Sequence, residues 1–329
     1  MTRPGNSPIL QPSWEDFEVR KRSVEDTQQG VRRARAKNQH FLPQSYLVGF
    51  TGDKGRLFVS DLVSRKVFPT NPRNVGADGP FNRIEAHGHD PDIWERQRAK
   101  FEDRAIFVIR GIQASSELPA DEELSYVINL MALLVVCNPR SRRTMNTAKG
   151  HMVRVISDML SSDRLLFEHH IARAKDEGFI RKDAVVSFEA MRKFIEDDQY
   201  TVEVSTGESL SLELGVFENT LGLLGSRYWS LVTAATDAPD FVTCDHPVTP
   251  VFKDPKRGGP IGYGLPQTEV SFPLNTRQAL LGVLEDPLQP RLEARAERVE
   301  AINSRTGYHA HRQVYSKTKV QAETMLRKL

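Results

Sequence analysis

Apolar positions change their spacing several times along the chain, and each change marks an element. Between Ser13 and Lys37 they are sparse. Trp14, Phe17, Val24 and Val31 stand among charged and amide neighbours, a stripe that predicts a helix lying on a surface. Ser13 reads as its N-cap with Glu15 and Asp16 in the first turn, and its end is basic through Arg32, Arg33, Arg35 and Lys37. Pro43 then opens a short helix through Tyr46, Leu47 and Phe50. After a turn at Gly52 to Gly55, Arg56 to Leu62 and Lys66 to Thr70 predict a hairpin with Ser64 and Arg65 near its tip. From Asp90 to about Glu196 the spacing is helical. Asp90 and Pro91 open a helix through Trp94, Phe101, Ile106 and Ile109, and Asp121 to Cys137 is the most apolar helix. Three more helical segments follow, with breaks near Asn138–Pro139, Ser161–Ser162 and Gly178.

The last third changes character. A helix over Glu208 to Leu224 is followed by strand-like runs at Tyr228–Ala234, Phe241–Asp245, Glu269–Leu274 and Ala279–Leu284. Between them Pro247 to Pro266 reads as a long Pro- and Gly-rich loop, of the kind that forms lids or stays irregular. The tail from Arg291 reads as mixed helix with one strand at Val314–Tyr315. This pattern predicts an α+β protein: a charged helical extension over residues 1–37 and a single domain over 38–329. Within it, a hairpin module (38–89), a helical region (90–224) and a β-rich part with terminal helices (225–329) follow one another, the two β-containing ends meeting in one sheet.

Composition removes several classes of function. The formal net charge is +2, so no global field draws the chain onto nucleic acid or membrane, and any such contact has to come from a local patch. The two cysteines, Cys137 and Cys244, lie far apart in different kinds of segment and suit neither a disulfide framework nor a thiolate zinc site. The longest apolar stretch, Val127 to Cys137, contains Asn129 and is about half the length a bilayer span needs. With no apolar core in Met1 to Gln11, a cytoplasmic protein without a membrane partner is expected. Dinucleotide-binding glycine fingerprints, phosphate-binding loops, His-Glu-x-x-His and Gly-x-Ser-x-Gly are all missing from the sequence.

His40, Pro43, Tyr46, Leu47 and Phe50 fit the spacing His-x-x-Pro-x-x-Tyr-Leu-x-x-Phe, followed after the hairpin by Pro72, Asn74 and Val75. Trp229 and then Phe241, Thr243, Cys244, Asp245, Pro247 and Val248 form a second motif, and Phe272-Pro273-Leu274 a third. From about Asn38 to Ser316 the chain resembles a bacterial family known as domain of unknown function 4238. Cys244 stands where that family usually has Ser, so a cysteine nucleophile is not a feature the resemblance implies. It implies no particular reaction either.

The candidate chemistry follows from residue types and positions. His40, just before a short helix, suits a general base or metal ligand, or a histidine that fixes the turn. Asp245, at a strand end before a loop, suits a carboxylate base or ligand, or a cap on the Pro247 turn. Glu95 and Glu102 lie seven apart on one helix, with Arg98 between them favouring a solvated face. Glu85, His87, His89 and Asp90 form a polar loop cluster, and Cys244 with His246 a remote thiolate–imidazole option. Arg140, Arg142 and Arg143 at a loop-to-helix junction suit a phosphate, and Asn74 is a further substrate contact. The preferred expectation is a hydrolase, metal-assisted and acting on nucleic acid or a nucleotide. His40, Asp245 and Glu102 would be its catalytic set, His40 and Asp245 would also be ligands of a divalent metal, and Arg140, Arg142 and Asn74 would hold the substrate. The alternative is a non-catalytic interaction protein in which His40 and Asp245 are structural.

Overall fold

The computed structural model describes residues 39–79, 93–198 and 200–329. The expected helix of Ser13 to Lys37 and the cluster of Glu85, His87, His89 and Asp90 lie outside the described residues. The described chain divides into two compact units, one built from the segments ending at Pro139 and resuming at Glu213, the other from Arg140–Leu212.

The first unit begins with α1 (Gln44–Leu47), continued by a single 3-10 turn, and the hairpin β1 (Leu57–Asp61) and β2 (Lys66–Thr70). Two long helices follow, α2 (Ile93–Ser115) and α3 (Asp121–Val136). The second unit carries α4 (Pro139–Ser162), α5 (Arg164–Asp176) and α6 (Phe188–Glu196). Asp163 and Ser187 cap α5 and α6 by accepting from Leu166 N and Ala190 N, and Phe167 meets Phe188 edge to face at 5.4 Å. After α7 (Thr206–Gly225) the chain is mainly strand: β3 (Tyr228–Ala234), β4 (Thr243–Cys244), β5 (Thr249–Phe252), β6 (Thr268–Pro273), β7 (Gln278–Val283) and β8 (Arg291–Ala294). It closes with α8 (Ala296–His309), β9 (Gln313–Ser316) and α9 (Lys319–Lys328).

The two β-containing ends meet in one sheet. Its order is β2-β1-β9-β4, all antiparallel, so the C-terminal strand β9 lies between the N-terminal hairpin and β4. A second sheet runs β5-β6-β7-β3-β8, antiparallel except for the β3–β8 pair. Alternate residues of β3 and β7 face opposite ways, as the pleat requires. Leu231 and Leu280 join the main core with α3 and the opening turn, while Val232 and Leu281 pack against Val299 and Ile302 of α8. This sheet is therefore covered on both faces. Helix α3 is buried continuously from Val127 to Val136, which explains why its apolar run lacks a polar face. No single described helix is long and apolar enough to cross a membrane.

Three expected elements change. The tail from Arg291, expected as mixed helix with a strand at Val314–Tyr315, opens instead with strand β8 paired to β3. The strand expected over Phe241–Asp245 shrinks to two residues, because Phe241 N donates to Thr276 O and Val242 N to the Asn303 side chain, leaving Thr243 and Cys244 to pair with β9. The expected long loop after Pro247 begins as strand β5, in which Pro250 is tolerated because β5 lies at the sheet edge.

The remaining loop is anchored by Arg227, which is 1% exposed. Its guanidinium donates to Thr268 O at 3.1 Å, Gly282 O at 3.2 Å, Thr268 Oγ1 at 2.9 Å and Tyr263 O. Burial, partly offset by Glu285 and Tyr263, lowers its pKa to about 10. Arg227→Met is expected to leave these carbonyls unsatisfied and destabilise the chain by roughly 2–4 kcal/mol in denaturant melts. A change within experimental error would show that water replaces the guanidinium without cost.

Candidate functional site

The most chemically loaded part of the first unit is where the opening turn meets α2. His40 forms an antiparallel bridge with Ala77, and Phe41 N and Leu42 N both donate to Gly76 O. Gly76 has φ +67, and a Cβ there would lie 2.9 Å from Leu42 Cβ, so both conformation and space require glycine. Asn74 holds the same loop by donating from Nδ2 to Thr70 Oγ1 at 3.3 Å.

This loop also orients the imidazole. His40 Nε2 faces Arg73 O at 3.2 Å, which places the ring proton on Nε2 and the lone pair on Nδ1. Nδ1 accepts from Gln44 Nε2 at 3.3 Å, and Gln44 is exposed. Burial is the main cause that lowers the His40 pKa from its ordinary value, against the Arg73 carbonyl and Glu95; Arg98 lowers it further.

Arg98 is 4% exposed, against the expectation of a solvated face. Its Nη2 donates to Phe41 O at 2.6 Å and its Nε to Glu102 Oε1 at 2.6 Å, so the guanidinium ties α2 to the opening turn. Its buried Nη1 has no hydrogen-bond partner among the described residues. Burial raises the Glu102 carboxyl above its usual range despite the Arg98 charge. The charges of Glu95 and Arg98 act on both His40 and Glu102, so the four share one neighbourhood.

Tyr46, in the same turn, joins three distant parts of the sequence. Its hydroxyl lies 2.7 Å from Thr243 Oγ1 and donates to Pro273 O at 2.7 Å. Its ring stacks on Phe272 at 5.3 Å and meets Phe50 edge to face at 5.4 Å. The three sequence motifs thus converge on one buried phenol. A family model described as "Protein of unknown function (DUF4238)" matches residues 38–320. The chain belongs to this family. No curated protein and no solved structure matches it.

The second DUF4238 motif builds a different kind of contact. Asp245 is 8% exposed, and its Oδ1 accepts from His311 N at 2.8 Å while its Oδ2 accepts from Arg312 N at 2.7 Å and Gln313 N at 2.9 Å. The carboxylate therefore holds the turn between α8 and β9, in place of the expected Pro247 turn. Burial raises its pKa, outweighing these N–H bonds. Beside it, Asp61 accepts from Val63 N and Ser64 N and from the side chains of Arg312 and Gln313. Burial pushes the Asp61 carboxyl up, but Ser64, Gln313 and Arg312 outweigh it and hold it below its usual range. Tyr315 donates to Gln313 Oε1 at 3.0 Å and completes the network.

At the family's Ser position, Cys244 is fully buried and its Sγ accepts from His246 N at 3.3 Å. The His246 ring instead stacks on His309 at 4.3 Å, with the two Nδ1 atoms 2.9 Å apart. Of the expected site residues, His40, Glu102, Asn74 and Asp245 belong to the first unit, while Arg140 and Arg142 stand in the first turn of α4 in the second. His40 and Glu102 share the Arg98 neighbourhood; Asp245 belongs to the β9 turn. Among the described residues, no group of three or more His, Cys, Asp or Glu side chains is arranged to hold a metal ion. Sequence reading passed over Arg98 as an anchor, Tyr46 as a hub and His309 as the partner of His246. A basic residue between two acids on an amphipathic helix looks alike whether it faces water or a backbone carbonyl.

Proposed function

We propose that this DUF4238 protein is a hydrolase of anionic esters, a nucleotide or nucleic-acid phosphoester being the preferred class, with its chemistry at the opening turn and α2. The observation that supports this most is the His40 ring: Nε2–H held by the Arg73 carbonyl, and the Nδ1 lone pair facing the exposed amide of Gln44. A carbonyl that fixes the tautomer leaves the other nitrogen ready to take a proton from water. In this reading His40 is the base. Glu102, kept protonated to higher pH by burial, is the acid. The buried Nη1 of Arg98, without a hydrogen-bond partner among the described residues, takes an anionic oxygen of the substrate once the opening turn moves aside to admit it. Asp245 becomes a positioning residue, Asn74 of the same loop is a substrate contact, and the assay decides whether a divalent metal joins His40.

The assay is turnover of nitrophenyl phosphate mono- and diesters and short oligonucleotides, with and without Mg²⁺, Mn²⁺ and Zn²⁺. Activity is expected in wild type and a loss of at least about 100-fold in His40→Gln, the contribution typical of a positioned base. Turnover retained by His40→Gln, or none in wild type with any substrate and metal, would overturn the proposal. A second test uses stability. A His40 that resists protonation when folded costs stability as pH falls below the ordinary histidine value, because the unfolded chain then binds the extra proton. The acid-side decline of the melting midpoint just below pH 6.5 is therefore expected to flatten in His40→Gln. An unchanged profile would place that decline elsewhere.

The same observations bear on the non-catalytic alternative. It draws support from Asp245, whose carboxylate is engaged by three backbone N–H groups. It predicts that His40→Gln changes stability and nothing else.

A further inference from the structure

Helix α4 carries large apolar side chains on more than the side that packs within its unit. Val153 and Leu160 are half-buried, Asn146 meets Ser209 at 3.1 Å, and Lys149 and Arg154 make partly exposed ion pairs with Glu208 and Asp198. A second side is apolar and open. Met152 is 61% exposed, Val155 43%, Ile156 48% and Met159 61%. A helix that leaves four large apolar side chains together in water needs a cover.

The spacing of the open face specifies the cover. Ala148, Met152, Val155, Met159 and Ser162 follow one another at steps of four, three, four and three, the 3.5-residue period of a helix pair rather than the wider stripe of a helix on a core. The seam is flanked by His151 and Asp158, both exposed and neither in an ion pair among the described residues. An antiparallel pairing about a two-fold axis stacks Met152 on Val155 of the second copy and sets the small Ala148 opposite the large Met159. It also brings each His151 beside Asp158 of the other copy. The patch is thus complementary to itself in size and in hydrogen bonding, an imidazole N–H meeting a carboxylate, which is what an isologous interface demands. We propose that α4 pairs antiparallel with α4 of a second copy of this chain, making the protein a two-fold dimer through the Met152–Met159 seam.

The test is sedimentation of the full chain from micromolar to hundred-micromolar concentration, with thermal melts to check folding. Wild type is expected to move from monomer to dimer across that range. Met152→Glu with Val155→Glu is expected to stay monomeric with an unchanged melt at the lowest concentration. Asp158→Lys is expected to raise the dissociation constant about tenfold, as two flanking pairs at several tenths of a kcal/mol each would. The double reversal His151→Glu with Asp158→Lys is expected to restore wild-type assembly. A wild type that remains monomeric throughout would overturn the proposal, whether the seam is covered by the amino-terminal segment, by lipid or by nothing. So would a dimer indifferent to the two glutamates, or a double reversal that fails to recover.

Discussion

Replacing Asp245 with Ala is expected to lower the unfolding free energy by roughly 4 kcal/mol. The carboxylate accepts from His311 N, Arg312 N and Gln313 N, and an alanine leaves all three donors without an acceptor in a turn closed by α8 and β9. Each buried donor left unsatisfied costs about 1–3 kcal/mol, and water entering the turn keeps the sum for the three near its low end. Because β9 is the strand between β1 and β4, loosening its start weakens the junction of the two ends of the chain. Asp245→Asn retains one accepting oxygen and is expected to lose about half as much. Urea melts of the three proteins measure this. Equal stability for wild type and Asp245→Ala would mean that the turn holds without its carboxylate, and the catalytic reading of Asp245 would regain the stronger position.

Tyr46→Ala is expected to cost more still, about 5 kcal/mol, and to leave a chain that folds poorly at ordinary temperature. The phenol is buried, stacks on Phe272 and bonds Thr243 and Pro273, so alanine creates a large-to-small cavity of the kind that costs about 3–5 kcal/mol and strands two oxygens in addition. Tyr46→Phe separates these contributions. It keeps the ring and is expected to lose roughly 2 kcal/mol, mostly from the unsatisfied Pro273 carbonyl. If Phe proved as damaging as Ala, packing would be a minor part of the hub; if Phe were neutral, the hydroxyl contacts would contribute nothing net.

These two residues show how far the sequence could be read. The Tyr46 motif, the hairpin and the Asp245 motif were all legible, because turn chemistry and alternation are local. That the hairpin and the C-terminal strand would share a sheet was also legible as topology. What Tyr46 and Asp245 do was not, since each acts on residues 60 to more than 200 positions away and neither partner is marked by its type. Arg98 illustrates the opposite failure. Local rules for a Glu-x-x-Arg-x-x-x-Glu stretch favour a solvated face, and only the carbonyl of Phe41, arriving from the opening turn, makes burial of the guanidinium tolerable. Strand β5 was hidden by its own proline, which the edge position permits. The His246–His309 pair joins α8 to the second motif and carries no sequence signature at all.

Under the proposed function, Tyr46 and Asp245 hold the fold and His40 carries the chemistry. The most direct measurement is the melting midpoint and phosphoester turnover on matched preparations of wild type, His40→Gln and Tyr46→Phe. His40→Gln is expected to melt close to wild type with turnover abolished, while Tyr46→Phe melts lower and keeps its turnover in proportion to the folded fraction. A His40→Gln protein that melts lower than Tyr46→Phe, or that turns substrate over as wild type does, would contradict it.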